Sequence, residues 1–167
     1  MKKRFLSALI GLTATLATTS SFAAVDNLRA FGRGAWREIR SAHAGQPLVV
    51  HFWGVTCGPC RTEMPQLGKF LNERPDLHLI MIDADLVPND PAAVKGMLDR
   101  SGLSAAENWM FDDGFVERLR YEVDPQWQGE IPLTLLIGAD GATTRIEGVA
   151  DLDKIRAWLD REASPSR

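Results

Sequence analysis

Leu48-Val-Val-His-Phe-Trp-Gly-Val-Thr-Cys-Gly-Pro-Cys-Arg-Thr-Glu-Met-Pro65 reads as a strand turning into a helix at a pair of thiols. The unbroken apolar run from Leu48 to Trp53 has strand length and suits a central strand covered on both faces. Gly54-Val55-Thr56 turns the chain, and Pro59 fits a first helical turn, where no amide hydrogen is needed. The helix is expected to run to about Asn72 with Met64, Leu67, Phe70 and Leu71 inward. Cys57 and Cys60, the only cysteines of the chain, bracket Gly58-Pro59. Two thiols at this spacing can close a disulfide and reopen it. At a helix start, unpaired amides and the positive end of the dipole favour thiolate. Cys57 is therefore expected to be the exposed nucleophile, and Cys60, one turn further in, the buried sulfur that resolves a mixed disulfide.

Rival readings of the pair are weaker. A static staple gains little, because so short a loop removes little entropy from the unfolded chain. A zinc site would need two further ligands, and His43, His51 and His78 show no paired spacing. No metal and no cofactor are expected.

The first 23 residues are a different kind of sequence. Lys2-Lys3-Arg4, an apolar stretch from Phe5 to Ala17 and a small-residue end at Ser21-Phe22-Ala23-Ala24 predict a secretory signal cleaved after Ala23. An uncleaved tether is the alternative, although the run is shorter than the roughly 20 residues that span a bilayer. Removing the three cations of this segment leaves 16 Lys+Arg against 22 Asp+Glu, a net of −6. Such an acidic domain is a poor nucleic-acid binder, and export places the thiols where disulfides persist.

The remainder, 24–163, reads as one α/β domain, with a frayed tail over 164–167. Residues 26–45 carry an intermittent apolar face (Leu28, Phe31, Trp36, Ile39) that predicts helix, firm only from Ala35 to His43 because of Gly32 and Gly34. A second strand is expected over Leu77–Ile82, and a helix opened by Asn89-Asp90-Pro91 stops before Gly102. Asn108–Phe111 suggests a short strand and Phe115–Tyr121 a helix. Leu133–Ile137 and Thr143–Ile146 form a hairpin through Asp140-Gly141. Asp151 caps a last helix containing Ile155, Trp158 and Leu159.

The stretch from His51 to Pro65 resembles the thioredoxin superfamily, and Glu63-Met64-Pro65 after the cysteines resembles its exported TlpA/ResA-like branch. The resemblance implies a thioredoxin-like fold, a central mixed β-sheet flanked by helices, in which 83–121 matches the TlpA-type αβ insertion. It implies a cis proline at Pro132 facing the cysteines, with Ile131 before it lining the substrate groove. Trp53, Thr56, Gly58 and Pro59 would complete that substrate surface. It also implies a catalytic role for Glu63, close to the thiols and tuning them. On helical geometry, Cys60 and Glu63 share a face, and a nearby carboxylate can carry a proton; an ordinary solvated acid is the alternative. Two positions depart from the pattern. Thr56 stands where thioredoxins carry tryptophan. His51 stands where thioredoxin has a buried aspartate that helps deprotonate the second cysteine; an imidazole could accept that proton, or be a hydrogen-bonded core residue.

These readings point to a periplasmic protein-disulfide reductase, a monomer acting on protein disulfides and recharged by a membrane electron donor of the DsbD/CcdA type. Cytochrome c apoprotein is among the possible clients. An oxidase or isomerase is the first alternative. A dithiol copper or haem-pathway chaperone is the second, since thiolates suit Cu(I).

Overall fold

The computed structural model describes residues 27–86 and 90–164. The signal predicted over 1–23, and the tail beyond Ser164, lie outside them. The elements run β1 (Leu28–Phe31), α1 (Ala35–Ala42), β2 (Leu48–Trp53), α2 (Gly58–Glu73), β3 (Leu79–Asp83) and α3 (Pro91–Arg100). They continue with β4 (Glu107–Phe111), α4 (Val116–Val123), β5 (Leu133–Ile137), β6 (Thr143–Glu147) and α5 (Leu152–Glu162). The strands form a six-stranded sheet in the order β1-β4-β3-β2-β5-β6. β1, β4, β3 and β2 are mutually parallel, β5 runs antiparallel to β2, and β6 runs antiparallel to β5.

β2 lies inside the sheet because every one of its residues is buried, as its apolar run predicts. Its alternation divides the molecule. Val49 and Trp53 join α2, α3 and α5 in one core, built with Met64, Leu67, Val94, Leu98, Ile155 and Trp158. Val50 and Phe52 join α1 and α4 in the other, which is rich in rings: Phe31, Trp109, Phe111 and Trp127. The segment 83–121 supplies α3, β4 and α4, so β4 enters the sheet between β3 and β1.

One expectation is corrected. Leu28–Phe31 is a strand, not the start of a helix. It pairs in parallel with β4, Leu28 opposite Asn108 and Phe31 opposite Phe111, and Phe31 stacks on Phe111 at 5.1 Å between ring centroids. A distant partner outweighs the weak local helical pattern, and Gly34, at φ 83°, separates this strand from α1. Asp90 and Asp151 cap α3 and α5 by accepting the N–H groups of Ala92 and Lys154. At the C-terminal end, Ser164 donates its N–H to Arg161 and its hydroxyl to Asp160.

Candidate active site

The site sits where β2 ends and α2 begins. Cys57 is the N-cap of α2, and the N–H of Cys60 is directed at its sulfur, 3.2 Å away. Pro59 contributes no donor to this first turn, so Cys60 N–H and the helix end are what the Cys57 sulfur meets. The two cysteines form a disulfide. Cys57 is partly exposed, while Cys60 is wholly buried. The Ile131–Pro132 bond is cis, and the Ile131 carbonyl oxygen lies 3.7 Å from Cys57 Sγ.

A groove of about 460 Å³ opens beside the disulfide. Thr56, Cys57, Pro59 and Ile131 line it, together with Ala84, Asp85, Leu86 and Gly129. Leu86 is a large apolar side chain left 64% exposed at its rim. Gly58 is exposed on the helix start, and Pro132 is buried beneath Ile131. Trp53 departs from the expected substrate surface. It is fully enclosed in the core under α2, because the inward alternation of β2 carries it away from solvent; it supports the site from below.

Asp85, two residues beyond the end of β3, holds the turn before the thiols. Its carboxylate accepts the Thr56 N–H at 3.0 Å and the Thr56 hydroxyl at 2.8 Å. This fixes the turn immediately before Cys57. Gly54 makes room for it: a Cβ there would lie 2.3 Å from Asp85 Oδ1. Local sequence could not reveal this bond, since Asp85 and Thr56 lie on separate segments. On the opposite wall, Arg145 of β6 pairs with Asp124 at 2.7 Å, Glu147 at 2.9 Å and Glu130 at 3.7 Å. It ties the 124–130 loop, which carries Gly129, to the hairpin.

Behind Cys60, the structure joins two residues that the sequence treated separately. Glu63 is not a solvated acid; it is 3% exposed. Its Oε2 accepts the Ala150 N–H at 2.7 Å, and its Oε1 lies 3.2 Å from Nε2 of the fully buried His51. The other imidazole nitrogen, Nδ1, is 2.9 Å from the Thr134 hydroxyl, its cross-strand neighbour on β5. The Nε2–Oε1 contact has ion-pair distance, yet neither atom makes a directed hydrogen bond. It is an electrostatic contact. The alternation of β2 carried the signal, because His51 points with Val49 and Trp53 toward the face where α2 turns Cys60 and Glu63.

No family model matches the chain. It is 30% identical over 105 residues to the thiol-disulfide oxidoreductase ResA of Halalkalibacterium halodurans, covering 61% of this chain and 53% of that protein. It is 30% identical over 53 residues to the sporulation thiol-disulfide oxidoreductase A of Bacillus subtilis, covering 32% of each. The chain is thus similar to thiol-disulfide oxidoreductases of the ResA type. It spans about half the length of the first relative and about a third of the second. Solved structures with the same thioredoxin-like fold include a secreted Mycobacterium tuberculosis disulfide oxidoreductase, with TM-score 0.58 and 21% identity over 72% of this chain and 85% of that one. Another is StoA from Bacillus subtilis, with TM-score 0.53 and 20% identity over 70% and 84%.

Proposed function

We propose that this chain is an exported thiol–disulfide oxidoreductase that works as a protein-disulfide reductase. The observation that carries the reading is the placement of the sulfurs: Cys57 at a groove and a helix N-terminus, Cys60 sealed one turn behind it. In the reduced protein the Cys57 thiolate attacks one sulfur of a client disulfide. A Cys57–client S–S bond forms, and the other client sulfur leaves as thiolate and takes a proton from water. The Cys60 thiol then loses its proton and attacks Cys57 Sγ, closing the intramolecular disulfide. The second client sulfur departs reduced, and two electrons have passed from protein to client.

Cys60 must release its proton inside a closed core, where water is scarce. The Glu63–His51 contact lies on the same face of α2, one turn beyond Cys60, and offers carboxylate oxygen and imidazole nitrogen as acceptors. Ile131 and Pro132 bring a backbone carbonyl to Cys57 and shape the client's approach, with Thr56, Gly58 and Pro59 as the other edge. Among the described residues no helix is long and apolar enough to cross a membrane. We read export to the periplasm from the segment 1–23, and re-reduction from a membrane donor of the DsbD/CcdA type. The protein acts as a monomer on protein disulfides.

Trapping with Cys60→Ala tests the reading. The variant is expected to accumulate mixed disulfides on Cys57 that dissolve with added thiol. Recovery of none from an exporting cell would remove enzymatic exchange. Direction is tested by reduction potential. A reductase is expected near the thioredoxin value of about −270 mV, and a value above about −150 mV would make the protein an oxidase instead.

A further inference from the structure

Arg120 is the anomaly of the molecule. It sits on α4 among Val116 and Leu119 and is 5% exposed. Its Nε and Nη2 are buried without a hydrogen-bond partner. Among the described residues no carboxylate pairs with it, whereas Arg74, Arg118 and Arg145 each hold one or more. Acids of α4 and of the groove are engaged elsewhere. Glu122 accepts the Gly34 N–H, Asp124 is held by Arg145 and by the Gln126 N–H, and Asp85 is held by Thr56. The Trp127 ring lies 5.9 Å from the guanidinium carbon. A ring face attracts the charge but satisfies none of the in-plane N–H groups. Burying a cation without an anion is among the costlier things a fold can do.

The position of this cation says what it awaits. Its guanidinium lies directly behind Gly129, where a Cβ would come within 2.5 Å of Nη1 and 2.7 Å of Cζ. Gly129 holds φ 101°, a conformation that suits glycine. The same Gly129 lines the groove beside Cys57 and Ile131. One glycine, lacking a side chain, therefore separates an uncompensated positive charge from the place where a client's cysteine must dock. The rest of the lining is apolar at Leu86, Ala84 and Pro59, so water screens the charge less than at an open surface; its one carboxylate, Asp85, is turned to the Thr56 N–H and hydroxyl.

We infer that the groove selects clients carrying an acidic side chain next to the cysteine that Cys57 attacks. The carboxylate docks against Gly129 and is held by the field of Arg120 across that glycine. This rests on the thiol–disulfide reading and names the class of client that it serves.

The test uses the full chain and two redox-inert peptides of one sequence. Serine replaces the client cysteine in both, and the neighbouring residue is Glu in one and Gln in the other. Tryptophan fluorescence titration at low salt is expected to show the Glu peptide binding about tenfold more tightly. Arg120→Gln is expected to bring the two affinities together. Equal affinities in the unsubstituted protein, binding of neither peptide, or a Glu preference that survives Arg120→Gln would each overturn the inference. The comparison within the unsubstituted protein decides it even where the variant does not fold. Disulfide-linked versions of the peptides separate the two levels: a Glu preference in binding with no reduction of either would count against exchange, not against carboxylate recognition.

Discussion

The two faces of the sheet handle buried polarity in opposite ways. On the face of α2, α3 and α5, His51 meets Glu63 across 3.2 Å and Thr134 across 2.9 Å, and Glu63 takes the Ala150 N–H. The buried ionisable side chains there, His51 and Glu63, thus each have a polar neighbour. On the face of α1 and α4, the core is a cluster of rings, and its one buried cation, Arg120, meets no anion among the described residues. The first arrangement can pass a proton without leaving the protein. The second stores an unanswered attraction. Polarity inside a protein is thus informative through its partners rather than its presence.

The comparison breaks most readily at the paired face. His51→Leu leaves the Glu63 carboxylate buried without its imidazole and is expected to cost about 3–5 kcal/mol in urea unfolding. Adding Glu63→Leu should recover part of that loss, a coupling of about 1–3 kcal/mol in the double-mutant cycle. Strict additivity would mean that the two residues do not interact. Arg120→Met probes the other face and should move stability the opposite way, by about 1–2 kcal/mol upward, because it removes a charge that nothing compensates. A loss of the same size would show that the guanidinium is satisfied internally.

Thr134→Val removes the partner of His51 Nδ1 and is expected to cost about 1 kcal/mol. The same unfolding measurement checks it, and no loss would detach Thr134 from the chain of contacts. The smallest effect lies at the surface. The N–H of Lys154 holds the Asp151 carboxyl below its ordinary range, with the Lys154 side chain adding to it. The folded carboxyl therefore titrates below the unfolded one. Its contribution is complete above about pH 4 and fades as pH falls further. Asp151→Asn should lower the thermal midpoint slightly at neutral pH, and the difference from the unsubstituted protein should close as pH falls below about 4.

Much of this was legible in the chain. β2 and α2 could be read because an unbroken apolar run, a proline in a first turn and inward Met64 and Leu67 all agree. β1 could not, because its four residues take their shape from Asn108–Phe111, far along the chain. Glu63 and His51 were each noticed, yet their contact depends on how α2 lies over β2, which neither local pattern states. Arg120 left a trace that was easy to pass over. Val116, Leu119, Arg120 and Val123 fall at i, i+3, i+4 and i+7 of one helix, so the arginine occupies an apolar stripe. Phe115 and Tyr121, the aromatic residues of that segment, are the ones left outside.

The fork made by Arg145 carries a mechanical consequence. Because it fastens the 124–130 loop to β6 through three acids near solvent, the far bank of the groove is moored by ions whereas the sulfurs are moored by core packing. Concentrated electrolyte weakens such moorings first. Brine should slacken the entrance while the dithiol hinge beneath keeps its form, so that client choice and sulfur chemistry answer to different solvents.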